Sequence, residues 1–184
     1  MACASTDRSP GLDQTAPPLA ALSAFQGLGE TPFEVLRQLA RRSSSAAVGT
    51  PERDAARAAL AWLDRCIAVH HRVLEDALFP ELIESMAGSD AVCLRELAAA
   101  ASAGHRAVER QWHGLRPACA AVSRGDAATL DAATVTSLVD DCRANFARAD
   151  RELIPMAERL LDDAALARLR TRLGDRERSA MPAD

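Results

Sequence analysis

The stretch His70-His71-Arg72-Val73-Leu74-Glu75-Asp76-Ala77-Leu78-Phe79-Pro80 decides the fold. His70, Leu74 and Leu78 recur at a spacing of four, and the stripe runs back through Ile67, Leu63 and Leu60. Residues three and four apart share one face of a helix. The pattern therefore predicts a long amphipathic helix with a histidine on its inward face.

Start and stop signals extend the reading in both directions. The helix carrying this stretch opens at Thr50-Pro51-Glu52, reaches about Met86 and ends in Gly88-Ser89. Pro80, near its end, is expected to kink it. Upstream, Thr31-Pro32-Phe33-Glu34 reads as a capping residue, a proline in the first turn and the acid of a capping box, with Phe33, Leu36 and Ala40 facing inward. A third helix is expected from about Asp90 to Val122, with Leu97, Ala101, His105, Val108, Trp112, Leu115 and Cys119 inward and a bend at Pro117. After the turn Ser123-Arg124-Gly125-Asp126, a fourth helix runs from about Asp131 to Leu161. Its inward residues are Val135, Leu138, Cys142, Asn145, Ala149, Leu153 and Met156, and Pro155 interrupts it late. Asp162 can cap a short fifth helix ending near Leu173-Gly174. Helices joined by short turns make an all-α, antiparallel up-down four-helix bundle with a short C-terminal fifth helix. The expected organisation is a flexible N-terminal tail over residues 1–30 that becomes ordered near Leu22 to Leu28, the bundle over 31–174, and a flexible C-terminal tail over 175–184.

Composition agrees. Of the 184 residues, 48% are hydrophobic and 26% charged, tyrosine is absent and aromatics are 3%. That argues against a β-rich fold. All 22 basic residues are arginine, the mark of a GC-rich, bacterial coding sequence rather than of an arginine-based function. The net charge is −4 with both signs interspersed, so no basic stripe suggests nucleic acid. No apolar stretch is long enough to cross a bilayer, and no signal peptide is visible. The five cysteines are odd in number, widely spaced and free of Cys-x-x-Cys, which favours reduced thiols and a cytoplasmic location. No phosphate-binding loop, nucleophile elbow or His-Glu-x-x-His motif is present.

The His70–Pro80 block resembles the haemerythrin-like (HHE cation-binding) motif H-H-x-x-E-E-x-x-L-F-P. Gly104-His105 with Trp112 and Leu115 is similar to that family's third-helix segment. Cys142-Arg143-Ala144-Asn145-Phe146 with Glu152-Leu153-Ile154-Pro155-Met156-Ala157 is similar to its fourth, and Pro32–Arg37 to its first. The likeness spans roughly Pro32 to Leu173. It implies a di-iron centre held by histidines from four helices and by carboxylates one turn after a histidine. Carried over by position, the first-helix histidine falls on Ala40, and the second-helix pair on His70 and Leu74. The third-helix histidine is His105, and the fourth-helix pair falls on Asn145 and Ala149. Only two ligands survive, so a family-type di-iron site is not expected to assemble.

The expectation is a non-enzymatic, degenerate haemerythrin-like bundle without a cofactor, serving a structural, regulatory or partner-binding role. In it Leu74 and Ala149 are buried, and His70, Asn145 and His105 form one hydrogen-bonded core cluster. An alternative is one divalent ion, iron, zinc or manganese, in a register shifted by one residue. There His71 with Glu75 and His105 with Glu109 form i, i+4 pairs and Asp150 reaches in, giving two histidines and up to three carboxylates, with His70 or His71 as the second-helix histidine. The resemblance then implies iron storage, or sensing of iron, oxygen or nitric oxide. A third option is haem held by His70, His105 or Cys66. A small ligand or a protein partner remains open, as does a monomer or a homodimer. Trp62 and Trp112 are read as packing, and the arginines Arg168, Arg170, Arg172, Arg176 and Arg178 as a solvated face.

Overall fold

The computed structural model describes residues 16–42, 47–86 and 89–180, which are helical and turn-connected, with no strand among them. Six helical rods follow in order. They are α1 (Pro18–Gly27), α2 (Glu30–Ala40), α3 (residues 50–85), α4 (Ser89–Arg124), α5 (residues 132–160) and α6 (Asp163–Ala180). The helices α2, α3, α4 and α5 pack in a ring, each against the next and α5 against α2. Cross-helix pairs fix the directions. Cys119 reaches Ala56, Trp112 reaches Asp64 and His105 reaches Glu75, so α3 and α4 run antiparallel. Asp141 pairs with Gln111, while Asn145 lies over Gly104, so α4 and α5 do the same. This is the expected antiparallel four-helix bundle.

The inward stripes carry the core. Leu63, His70, Leu74 and Leu78 of α3 are buried, as are Val108, Trp112, Leu115 and Cys119 of α4 and Leu138, Cys142, Ala149 and Leu153 of α5. Leu74 is 1% and Ala149 0% exposed, as the cofactor-free reading required. Leu60, Ile67, Leu97 and Met156, expected on the same stripes, are only partly covered. An aromatic cluster closes one flank. Phe25 stacks on Trp62 at 5.9 Å, Phe33 meets Trp62 edge-on at 5.5 Å, and Phe146 lies 5.0 Å from the His70 ring. Such pairs add about 0.5–1.5 kcal/mol beyond area burial. Gly29 permits the arrangement, because a Cβ there would stand 2.7 Å from Trp62.

Several boundaries differ from expectation. Part of the supposed N-terminal tail is α1, whose Leu19, Leu22, Phe25 and Gln26 are buried against the bundle, while residues 1–15 lie outside the described residues. Helix α2 begins at Glu30 behind Gly29 with no side-chain cap, so Thr31 is not its capping residue. The turn from α1 delivers the chain already helical, through Gly29 N–H to Gln26 O. At α3 the acid half of the expected signal is present, with Glu52 accepting from Gly49 N–H at 2.8 Å. Asp131 and Asp162 cap α5 and α6 through Thr134 N–H and Ala165 N–H. Helix α6 continues to Ala180, past the predicted stop at Gly174 and into the supposed C-terminal tail. Helix α4 runs unbroken through Pro117.

The prolines of α3 and α5 have a different effect from a kink. Each lies two residues beyond a π-helical turn, Leu74–Leu78 before Pro80 and Ala149–Leu153 before Pro155. Proline lacks an N–H and crowds the carbonyl four residues back. The chain answers by widening the preceding turn, so that Phe79 N–H bonds Leu74 O and Ile154 N–H bonds Ala149 O, five residues back. The Asp76 carbonyl, which an α-helical residue 80 would have paired, accepts from Arg172 of α6 at 2.9 Å.

Candidate metal centre

A third π-helical turn, Ile67–His71, sets the site. An α-helix turns adjacent residues apart, whereas a π turn inserts one extra residue into the ring and advances everything after it. Both His70 and His71 are therefore inside, 0% and 3% exposed. His105 of α4 meets them at 1% exposure. One ring nitrogen from each of the three lies within 4.8 Å of the others. The His71 and His105 rings are stacked at 4.1 Å and 8°, and His70 stands edge-on to both.

The other ring nitrogens face outward partners. His71 Nδ1 is 3.0 Å from Glu109 Oε1, and His105 Nδ1 is 2.7 Å from Glu75 Oε1. Both carboxylates reach in from the rim, their side chains 43% and 34% exposed. A carboxylate on Nδ1 fixes the N–H there and turns the Nε2 lone pair to the interior. His70 is held the other way round, through Nε2 at 2.9 Å from the Gln26 amide of α1. The amide orientation that pairs both ends has the Gln26 oxygen accepting from His70 Nε2 and its nitrogen donating to Asp150 at 3.2 Å. Asp150 accepts in turn from Ser23 Oγ at 2.8 Å. His70 Nδ1 is buried with no hydrogen-bond partner.

Electrostatics keep the rings neutral. Burial, then His71 and His105, push His70 well below the ordinary histidine range. Burial and then His105 lower His71 to about 3, against the opposing pull of Glu75. Burial also lowers His105, opposed by its hydrogen bond to Glu75. Neutral imidazoles keep the lone pairs a cation needs.

All five residues singled out in the sequence, His70, His71, Glu75, His105 and Glu109, thus meet in one place. The two glutamates hold the outer nitrogens rather than facing the interior. Asp150 is on the surface side and touches Gln26. The expected His70–Asn145–His105 hydrogen-bonded cluster does not form: His70 pairs with Gln26 and His105 with Glu75, and the Asn145 amide nitrogen is buried without a partner. Asn145 instead fills the space over Gly104, where a Cβ would stand 2.3 Å from its Oδ1. In the sequence, Gln26 fell in a supposed tail and gave no signal.

Gly104 yields a direct test. Gly→Ala in a helix interior ordinarily stabilises by roughly 0.5–1 kcal/mol. Here Gly104→Ala is expected to lower the melting temperature, and in an Asn145→Ala background to raise it. Thermal denaturation of the four proteins checks the reversal of sign.

An antiparallel helical bundle with a histidine cluster and hydrogen-bonded carboxylates at mid-height has the architecture of a bundle-core cation-binding protein. The family model for the Hemerythrin HHE cation binding domain matches residues 33–157, and the chain belongs to that family. No curated protein and no solved structure matches it. No helix among the described residues is long and apolar enough to cross a membrane.

A carboxylate-bridged di-iron centre does not fit the residues present. The bridging positions inferred from the resemblance hold Leu74 and Ala149, both buried, and the two remaining histidine positions hold Ala40 and Asn145. The carboxylates that do reach the site are engaged at histidine nitrogens on its outer side.

Proposed function

We propose that this chain binds a single divalent transition-metal ion through His70 Nδ1 and the Nε2 atoms of His71 and His105. The observation that carries the reading is a buried, unpartnered Nδ1 on His70, one of three buried imidazoles that cluster together. Leaving a buried polar atom unpaired costs about 1–3 kcal/mol, and a bound cation removes that cost. Metal–nitrogen bonds of about 2.0–2.1 Å place tetrahedral donors about 3.4 Å apart, so ring rotation has to draw the three nitrogens together for one ion to bind them all. Three neutral imidazoles suit zinc or iron(II) and leave a coordination position open for water or a small ligand. Glu75 and Glu109 orient the donors and offset the cation's charge from just outside. The role that follows is reversible holding of a cation or of a small molecule on it, within a family defined by cation binding.

Elemental analysis of the purified, untagged chain, with cobalt(II) titration followed by visible absorption, tests this. One ion per chain with the d–d bands of a nitrogen-rich, low-coordinate cobalt site is the expected result. Two irons per chain, or no stoichiometric uptake of any divalent ion, overturns it. The second outcome returns the bundle to a metal-free core, the reading favoured by the buried Leu74 and Ala149.

A further inference from the structure

On the outer side of the α3–α4 seam the surface opens into a groove of about 650 Å³. Arg72 of α3 and Arg106, Arg110 and Arg116 of α4 line it, with Ile67 and Trp112 among the lining residues. Arg106 and Arg110 are one helical turn apart and share a face, with Arg72 opposite on the neighbouring helix. Two carboxylates also border the groove. Asp64 accepts from Arg116 through both oxygens and from Trp112 Nε1 at 2.8 Å. Glu109 is taken by His71 Nδ1. Arg72, Arg106 and Arg110 are exposed and have no hydrogen-bond or ion-pair partner among the described residues.

Arginines on a helical bundle ordinarily pair with acids at i±3, i±4 or across the seam. Across this chain they do so repeatedly, as in Arg143–Glu30, Arg168–Glu81 and Arg57–Asp54. Around this groove four guanidiniums stand against two carboxylates, one of them taken by Arg116, so the concavity keeps a net positive charge. Its volume lies within the range of small-molecule sites, about 300–1,000 Å³. A guanidinium's fork matches phosphate and carboxylate oxygens in pairs. The groove also offers apolar area from Ile67 and the arginine stems.

We infer that the α3–α4 groove is a binding site for a small organic anion carrying at least two negative charges, a phosphate ester or a polycarboxylate, held by Arg72, Arg106 and Arg110. The anion-holding arginines are not part of the histidine cluster, which the groove borders at Glu109.

Isothermal titration of the full chain with pyrophosphate and, separately, citrate tests it at physiological ionic strength. Saturable binding of either probe, one per chain, is expected. Pyrophosphate alone would identify the phosphate class, and citrate alone the carboxylate class. In Arg106→Gln/Arg110→Gln the dissociation constant should rise roughly tenfold or more, the loss expected for charge-assisted hydrogen bonds at a partly exposed site. Arg72→Gln, on the other helix, should weaken binding in the same direction. Arg170→Gln, which removes the same charge from the exposed side of α6, should leave it unchanged. No saturable binding of either probe, unchanged affinity in the double variant, or an equal loss in Arg170→Gln overturns the proposal.

Discussion

Between pH 6.5 and pH 5 the metal-free protein is expected to lose stability steeply, before its carboxylates begin to titrate. The sign follows from the three buried histidines. Each has a folded-state pKa below the unfolded value near 6.5. The unfolded chain therefore binds more protons below that pH, and stability falls as pH falls. With His71 held at about 3, that residue alone contributes about 2 kcal/mol at pH 7 that is gone by pH 5. His70 and His105 act in the same direction. Against a typical total of about 5–15 kcal/mol the combined effect is large. The carboxylates of Glu30 and Glu81, lowered by their arginine partners, add stability that is lost only further down, through their own range below 4.5. Melting temperatures measured in chelator at pH 7.5, 6.5, 5.5 and 5.0 should fall with increasing slope. His71→Gln should flatten the curve, whereas His113→Gln, on an exposed residue, should not. A melting temperature that stayed constant from pH 7.5 to 5.0 would mean unshifted histidines, and one that rose towards pH 5.0 would mean that Glu75 and Glu109 hold the imidazoles charged; either result would sink the neutral-donor account of the site.

The fold was readable because a bundle writes its core as a period. Leu63, His70, Leu74 and Leu78 on one helix and Val108, Trp112, Leu115 and Cys119 on its neighbour lie where spacing put them. Two features escaped that reading. Helix α1 begins at Pro18, and its stripe of Leu19, Leu22 and Phe25 is too short to read as a period. It is helical because the bundle offers its apolar residues a surface, a tertiary cause that local pattern does not carry. The π turns were missed for a sharper reason. Period arguments assume a fixed advance per residue, and Pro80 and Pro155 break that assumption upstream of themselves. The Leu-Phe-Pro and Leu-Ile-Pro blocks mark the widened turns, although a proline inside a helix is ordinarily read as a kink.

The same geometry explains why the site was half legible. An α-helical register forces a choice: either His70 and Leu74 face inward, or His71 and Glu75 do. The π turn at Ile67–His71 removes the choice, since His70, His71 and Leu74 are all buried while Glu75 reaches in from the rim. Each of the two alternative registers places inward only part of the set that is buried together. Gln26 was invisible because its role depends on where α1 docks. Asn145 was placed inward correctly, but its partner is the space over Gly104 and not a histidine, a contact that depends on how closely two helices approach.

Replacing His70 by alanine is expected to cut affinity for zinc or cobalt by more than about hundredfold, and replacing Glu109 by glutamine by about tenfold to hundredfold, the range for outer residues that orient a metal-binding histidine. The order separates two ways of using the same five residues. If Glu75 and Glu109 bound the ion directly, as an i, i+4 pairing with His71 and His105 allows, Glu109→Gln would be as damaging as losing a histidine. The structure places Glu109 on His71 Nδ1 and Glu75 on His105 Nδ1, on the far side of each ring from the interior. A carboxylate there sets the tautomer and raises ring basicity without touching the ion. Glutamine can still accept from Nδ1–H but supplies no charge, so part of the orientation survives. His105→Ala should match His70→Ala, because each removes one of three donors. Gln26→Ala should fall with the glutamate variant, since it frees His70 Nε2 and lets that ring turn. Competition titration of the four variants against a colorimetric chelator, with melting temperatures to confirm folding, ranks them. Affinity indifferent to His70→Ala and His105→Ala would dismiss the cluster as the cation site, and equal losses in His70→Ala and Glu109→Gln would move the glutamate onto the metal.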